Sequence, residues 1–302
     1  MVDTSPLPAD DFLTIACHLR FSGAERSPRG GVGQNDRMPK VLIRLIVAVT
    51  VLVLAVVGTD FGFAIFAEYR MARSVRTAAH LQFDPWVAIL GFPFAPQAAD
   101  CRYREVEIKA AGVDHPVAGQ VSLEATMYDM HDLTSCWLIG PQARLTAARL
   151  ESRTIIDSTH IGRFMGIKDL LVEAPAKDTN NATGGTTESG ISENHGLVFT
   201  GTPTSSGFHK RVSVSVDLSI VGADQSTLVF TPTEVLTGAG TAEQAVPADR
   251  QAAVLKAFST SMPGLVLPFG LKPTSEGARG SDVIIEGIAT GVTVALTAFR
   301  QS

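Results

Sequence analysis

The sequence predicts an α+β domain that follows a single apolar membrane segment. Three observations predict this class: one long apolar run near the N-terminus, a helix-spaced segment directly after it, and several later segments with the two-residue period of strands. Apolar residues make up 45% of the 302 residues, which is enough for a sizeable core. The net charge of −5 at pH 7 provides no concentrated basic surface, so we expect no nucleic-acid partner.

Residues 1–37 show no hydrophobic period and contain a stretch rich in glycine and charge. We expect them to form a disordered extension. Because an export signal normally lies at the start of a chain, the late position of the apolar run favours Met38 as the true initiator; otherwise residues 1–37 are a cytoplasmic tail.

Residues 38–60 form the predicted membrane segment. Its apolar run, residues 45–58, is interrupted only by Thr50; basic residues precede the run and Asp60 follows it. This polarity favours a cytoplasmic N-terminus and export of the residues that follow. A signal peptide needs an apolar run of roughly 7–15 residues and a full span needs about 20, so a cleaved signal and an uncleaved anchor both stay open.

The segment from Phe61 to Leu81 has the apolar spacing of a helix. Three arginines share a neighbouring face of this helix. They form either a solvated face or, because the membrane segment directly precedes them, a contact surface for anionic lipid headgroups. These arginines are Arg70, Arg73 and Arg76, and the second candidates for headgroup contact are Lys210 and Arg211.

Segments after Pro85 have the alternation of half-buried strands. The clearest is 211–221, and a closing hairpin is predicted from 283–285 and 292–297 with its turn at 286–291. Helices are predicted at 160–166, after N-cap candidates at 157–159, and at 250–261. Further strands are predicted at 103–110, 117–128, 197–200 and 227–231, and an exposed loop at 177–194.

The sequence contains no catalytic or metal-binding motif that we recognise. The serine-hydrolase, His-Glu-x-x-His and phosphate-loop patterns are absent, and the one adjacent His–carboxylate pair, His131-Asp132, has no third group to complete a triad. We therefore predict a protein that is not an enzyme and binds neither a metal ion nor a cofactor. Cys101 and Cys136 form either a disulfide in an oxidising compartment or two buried free thiols.

Two apolar segments, 85–96 and 265–271, are broken by prolines and are unsuited to ordinary central strands or helices. They either pack in the core at the sheet ends or line an apolar cavity. Both segments resemble signatures of the LmeA-like phospholipid-binding family of actinobacteria. Residues 91–113 are similar to its Gly-Phe-Pro-Phe opening, and residues 265–294 to its Leu-Pro-Phe-Gly signature and closing hairpin; the resemblance covers about residues 40–300.

The resemblance implies a fold similar to that of bactericidal/permeability-increasing protein, in which a long curved antiparallel sheet wraps against helices and acyl chains are held between them. Residues 61–302 are then the lipid-binding domain of an exported envelope protein at the periplasmic face of the inner membrane. The implied partners are a phospholipid of the phosphatidylinositol type, the inner membrane and a membrane mannosyltransferase. The implied role is support of lipomannan assembly, and the alternative is a non-catalytic accessory protein that stabilises a membrane glycosyltransferase.

Acyl chains that leave a bilayer cost about 0.8 kcal/mol per CH₂ exposed to water, and an apolar cavity removes most of that cost. The candidate lining comes from the two proline-broken segments and the strand at 211–221. These candidates are Trp86, Ile89, Phe92, Phe94, Val212, Val214, Val216, Leu218, Leu265, Leu267 and Phe269.

Overall fold

A computed structural model gives the structure of residues 40–132, 138–175 and 196–300. The expected extension at 1–37, the predicted loop at 177–194 and Cys136 lie outside these described residues. The chain divides into two units, Met1–Thr50 and Val51–Ser302.

The described residues contain four α-helices and eleven strands. The helices are α1 (Lys40–Ala79), α2 (Phe94–Ala99), α3 (Ser158–Met165) and α4 (Ala248–Phe258). The strands are β1 (Trp86–Leu90), β2 (Arg102–His115), β3 (Gly119–Asp132), β4 (Arg144–Asp157), β5 (Leu171–Glu173), β6 (Gly196–Gly201), β7 (Val212–Val221), β8 (Thr227–Leu236), β9 (Thr260–Met262), β10 (Ser275–Arg279) and β11 (Asp282–Ala295).

The described part of the first unit, residues 40–50, is helical and exposed, and it begins helix α1. Within the described residues α1 is the one helix long and apolar enough to cross a membrane; its most apolar 18-residue window has a mean hydropathy of 2.9. Thr50 and Thr59 each donate a hydroxyl hydrogen bond, of 2.9 and 2.8 Å, to the carbonyl oxygen four residues earlier. Both polar groups are therefore satisfied inside the helix.

In the second unit, helix α1 buries one face from Asp60 onward. The buried side chains recur at intervals of three and four residues, as expected for a helix packed on a core, and this confirms the helix predicted from residue 61. They include Asp60, Ala67, Met71, Val75 and Ala78.

The strands form two antiparallel sheets. The first has the order β1-β2-β3-β4-β11-β10 and the second the order β5-β6-β7-β8-β9. Strands β10 and β11 of the first sheet contact β5 of the second, and β10 also contacts β6 and β7. The α+β class, with antiparallel sheets behind an N-terminal helix, is thus confirmed, and the strands are divided between two sheets.

Strand β7 shows why the two-residue period was a good predictor. Val212, Val214, Val216 and Leu218 on one face are buried, and Asp217 on the other face is exposed. Ser213 on that second face is also buried, and its hydroxyl accepts a 2.9 Å hydrogen bond from the N–H of Ala242. The buried face belongs to one hydrophobic cluster that contains side chains from both sheets and from α1, α3 and α4. Helix α3 also begins as predicted, since the Asp157 carboxylate accepts a 2.6 Å hydrogen bond from the N–H of Thr159.

Two sequence-based boundaries are wrong. The predicted turn at 286–291 lies inside β11, which pairs with β4 in one register, interrupted only at Gly291, from Asp282 opposite Asp157 to Ala295 opposite Arg144. The closing hairpin instead joins β10 to β11 through Gly280, whose φ of 65° suits glycine. The predicted helix at 250–261 ends at Phe258, because the next residues pair as β9 with β8.

Gly287 allows the Leu-Pro-Phe-Gly segment to cross the inner face of β4 and β11. A Cβ atom on Gly287 would lie 2.6 Å from the backbone oxygen of Lys272 and 2.7 Å from Leu267 Cδ1. The crossing segment is held by the Ser152 hydroxyl, which donates a 2.7 Å hydrogen bond to the carbonyl oxygen of Pro268. The absent side chain at Gly287 is therefore a packing requirement of the core.

We predict that Gly287→Ala lowers the free energy of unfolding by about 1–3 kcal/mol, because backbone must shift to admit the methyl group. Urea denaturation of the full chain in detergent, followed by circular dichroism, measures the change. Gly238→Ala is the matched control, since Gly238 is exposed and has no atom within 4 Å of an added Cβ. Equal stabilities of the two variants would contradict the packing requirement.

Candidate functional site

The side chain of Gln97 holds the turn of the Gly-Phe-Pro-Phe segment between β1 and α2. Its Nε2 donates hydrogen bonds to the carbonyl oxygens of Gly91 (2.6 Å) and Pro93 (3.2 Å). Its Oε1 accepts a 2.9 Å hydrogen bond from the N–H of Arg104 on β2. Gly91 has a φ of 107°, and an added Cβ would lie 3.1 Å from Gln97, so this turn requires glycine.

Asp60 connects this segment to helix α1. Its carboxylate accepts hydrogen bonds from the N–H groups of Phe94 (2.8 Å) and Ala95 (2.7 Å), at the start of α2. Pro93, the N-cap residue of α2, makes no side-chain capping bond. Asp60 therefore satisfies backbone donors that have no partner within α2, and its own charge is buried, with 8% of the residue exposed.

The two phenylalanines of the segment have opposite environments. Phe94 is 2% exposed and packs against Tyr103 of β2, with ring centroids 6.2 Å apart. Phe92 is 53% exposed and stacks on Phe61 of α1, with ring centroids 5.7 Å apart. Phe94 thus anchors the segment in the core, and Phe92 presents an aromatic surface beside helix α1.

A groove of about 320 Å³ with a mostly apolar lining lies beside Asp60. It runs between helix α1 and the first turn of α2, and its one ionisable lining group, Asp60, is already occupied by backbone N–H donors. The volume of this groove is near the lower end of the range for small-molecule pockets, so the groove can accommodate part of an alkyl chain. The groove is lined by Ala55, Val56, Thr59, Asp60, Phe63 and Ala95.

A second cavity, of about 520 Å³, lies further along α1 and is polar. Arg76 forms a 3.4 Å ion pair with Asp84, and Arg73 donates a 3.1 Å hydrogen bond to the hydroxyl of Tyr69. Arg70 is exposed on the helix but is not among the lining residues. The cavity is lined by Arg73, Arg76, Thr77, His80, Leu81 and Asp84, which offer both cationic donors and carboxylate or hydroxyl acceptors.

Most of the predicted lining residues complete the core with their own side chains. Leu265 borders a cavity of about 10 Å³ between β7, β8 and β11, which is the space of about one water molecule. The buried members of the predicted set belong to one cluster. They are Ile89, Phe94, Val212, Val214, Val216, Leu218, Leu265, Leu267 and Phe269.

Trp86 lies on the opposite face of β1 from Ile89, so the structure separates these two predicted lining residues. The Lys109 ammonium lies 4.9 Å from the centre of the Trp86 ring and forms a 2.9 Å ion pair with Glu107. On this charged face, burial and then the negative charges of Glu107 and Glu151 raise the pKa of Glu105. Trp86 therefore belongs to a polar sheet face.

The remaining predicted residues are placed as follows. Lys210 and Arg211 are exposed immediately before β7. Cys101 is disulfide-bonded, and its expected partner, Cys136, lies outside the described residues. Among the described residues no group of three His, Cys, Asp or Glu side chains is arranged to hold a metal ion.

Sequence reasoning missed Asp60, Gln97 and Phe61 as site residues. The available signal for Asp60 was that it is the single charged residue between Arg44 and Glu68. That position was interpreted only as the charge that ends the membrane segment. Its bond to residues 34 and 35 positions later is a tertiary contact that no local pattern indicates.

A family model for LmeA-like phospholipid-binding proteins matches residues 58–288, which is more than half of the chain. The chain belongs to the LmeA-like phospholipid-binding family. The matched region begins within helix α1 and includes α2, both proline-broken signatures and the first half of β11. Membership confirms the resemblance and supports lipid binding. Comparison with curated proteins and with solved structures finds no significant match, so the likeness to bactericidal/permeability-increasing protein stays a prediction.

We predict that Asp60→Ala lowers the free energy of unfolding by about 2–4 kcal/mol, because two N–H groups at the start of α2 lose their acceptor. Thermal or urea unfolding of the full chain in detergent measures the loss. Asp84→Ala, which removes only the exposed 3.4 Å ion pair with Arg76, should cost less than about 1 kcal/mol. Similar losses for both variants would contradict the anchoring role of Asp60.

Proposed function

We propose that the protein holds a phospholipid along helix α1, with part of an acyl chain in the apolar groove and the phosphate in the arginine-lined cavity. The observation that carries this proposal is the order of the two cavities on one helix. Phe63 lines the groove and Arg73 lines the polar cavity, and ten helical residues separate them by about 15 Å. That separation matches the distance from a phosphate to the middle of an extended acyl chain.

The groove supplies the contact surface for the chain. Its lining is apolar apart from Thr59 and Asp60, and both of these have their hydrogen bonds satisfied within the protein, so acyl methylenes pack against it without meeting an unpaired polar group. No covalent chemistry is needed for such binding, and we propose that the protein acts as a binding protein and not as an enzyme.

The polar cavity supplies recognition of the headgroup. Guanidinium groups such as those of Arg73 and Arg76 match phosphate oxygens in geometry and charge. The Asp84 carboxylate and the Thr77 hydroxyl can accept hydrogen bonds from sugar-like hydroxyls. This combination supports a phospholipid of the phosphatidylinositol type as the ligand.

We place the folded domain on the exported, periplasmic face of the inner membrane. The disulfide at Cys101 supports this, since such bonds persist in oxidising compartments. The basic residues that precede the apolar run, Lys40 and Arg44 among them, support a cytoplasmic N-terminus. On the family resemblance, we propose that the bound lipid serves lipomannan assembly in the cell envelope.

We predict that Ala95→Phe reduces binding of a fluorescent phosphatidylinositol severalfold, because the ring occupies the groove. The measurement is titration of the full chain in detergent micelles, with mass spectrometry of the lipids that co-purify. Ala99→Phe is the matched control, since Ala99 is exposed at the other end of the same helix and does not line the groove. Unchanged binding by the folded Ala95→Phe variant would place the acyl chain elsewhere.

The Ala95→Phe variant also tests the alternative role, in which the protein stabilises a membrane mannosyltransferase. If the protein acts by stabilising a membrane mannosyltransferase, crosslinking in cells should capture that enzyme equally with the wild-type chain and with Ala95→Phe. If the bound lipid is what matters, lipomannan production should fall with lipid binding. The two results distinguish a lipid-holding role from a scaffolding role.

We predict that the double charge reversal Arg73→Glu with Arg76→Glu weakens binding of phosphatidylinositol at least severalfold and has less effect on a zwitterionic lipid. Repulsion between the new carboxylates and the phosphate causes the loss. Competition between the two lipids in one titration measures the preference. Lys256→Glu on the exposed face of α4 controls for net charge, and an equal effect of that change would exclude a specific headgroup site.

A further inference from the structure

The exposed surface of helix α1 remains apolar well beyond Gly58. Asp60 is the single charged residue from Leu45 to Ala67, and no charged residue occurs from Pro85 to Ala99. These two uncharged stretches are adjacent in space, because Asp60 is hydrogen-bonded to the start of α2 and Phe61 stacks on Phe92. Apart from the buried Asp60, the residues of α1 from Leu45 to Ala67 and those from Phe92 to Ala99 beside them are uncharged, and we name this combined surface the α1–α2 apolar surface.

The charge of Asp60 does not interrupt this surface. Each carboxylate oxygen accepts one backbone N–H, at 2.8 and 2.7 Å, and the residue is buried. An unpaired carboxylate in the apolar part of a bilayer costs several kcal/mol, but a carboxylate that is hydrogen-bonded inside the protein is shielded from lipid. Asp60 therefore does not mark the end of the apolar span.

The surface exposes large aromatic side chains. A contiguous exposed patch of this kind is uncommon on soluble domains and marks an interaction site. Aromatic residues collect at the membrane–water interface, and basic residues follow them at headgroup level. Here Tyr69 is followed immediately by Arg70, the first of the three arginines. The exposed aromatic side chains are Phe61, Phe63, Phe66, Tyr69 and Phe92.

The length of helix α1 also indicates where the membrane ends along it. Residues 45–58 rise about 21 Å at 1.5 Å per residue, which is short for a hydrocarbon core of about 30 Å. Residues 45–67 rise about 34 Å and cross it. The membrane boundary that fits both length and side-chain chemistry lies near Tyr69 and not at Gly58.

We infer that the α1–α2 apolar surface is embedded in the membrane that α1 crosses, so that Phe92 and the start of α2 lie among the lipid chains and Arg70 lies at the headgroups. The occupant is a lipid bilayer, because the surface is continuous with the spanning residues of the same helix. This inference does not depend on the groove holding a bound lipid. It assigns the Gly-Phe-Pro-Phe loop a membrane-insertion role.

The test uses the full chain reconstituted in vesicles of phosphatidylcholine and phosphatidylglycerol that carry bromine on the acyl chains. The two native tryptophans, Trp86 and Trp137, are replaced by phenylalanine, and Phe92→Trp supplies the reporter. Phe164→Trp on α3 is the matched control, since Phe164 is also an exposed phenylalanine. Brominated chains should quench the tryptophan at 92 severalfold more strongly than the one at 164.

Equal and weak quenching at the two positions would overturn the inference. So would protection of position 92 from aqueous acrylamide without quenching by brominated lipid, because that result indicates a protein partner or a second copy of the chain. Phe61→Trp, at the ring that stacks on Phe92, supplies a second reporter if Phe92→Trp unfolds the chain. Repeating the measurement with Ala95→Phe separates insertion from lipid binding, because insertion should persist when groove binding is lost.

Discussion

The hydrogen bonds from the N–H groups of Phe94 and Ala95 to the Asp60 carboxylate hold helix α2 against helix α1, and the apolar groove lies at this junction. They join a helix that is apolar over most of its length to the first turn of α2, at 2.8 and 2.7 Å. A carboxylate in such a helix is tolerated only with hydrogen-bond donors, and backbone N–H groups at a helix start need an acceptor. Each group thereby satisfies the other. The groove exists because this junction holds α2 against α1.

The two sheets support α1 and α2 through one shared hydrophobic cluster, and the cavity beside Leu265 holds only about 10 Å³. Leu267 and Phe269 lie in the same hydrophobic cluster as the inner face of β7. This segment passes so close to Gly287 that an added Cβ would lie 2.7 Å from Leu267 Cδ1, and the Ser152 hydroxyl holds it at the carbonyl oxygen of Pro268. The Leu-Pro-Phe-Gly signature is therefore explained by packing of the two sheets, whereas the Gly-Phe-Pro-Phe signature combines packing by Phe94 with exposure of Phe92.

Local patterns predicted the elements well, and they failed where a distant strand decides the conformation. The alternation in β7 and the cap at Asp157 were sufficient for their elements, because both signals involve near neighbours. Glycines at 287 and 291 favoured a turn, yet β11 pairs with β4 in a single register on both sides of Gly291, so the positive φ of that glycine does not reverse the chain. The same limit applies to the site: composition did not show that Trp86 and Ile89 point to opposite faces of β1, or that Asp60 reaches α2.

These contacts also bear on whether the apolar helix is a cleaved signal or a retained anchor. Cleavage near Gly58 would leave Asp60, the buried face of α1 and its bonds to α2 in place, so the folded domain itself does not need the preceding residues. The groove does need them, because Ala55 and Val56 form part of its lining. Helix α1 continues without a break through residues 40–59, and the hydroxyls of Thr50 and Thr59 are hydrogen-bonded within it. A helix of this kind suits a lipid environment, where every polar group needs a partner inside the protein. A lipid site that includes residues 55 and 56 is complete only in the uncleaved chain, and for this reason the proposed function favours the anchor.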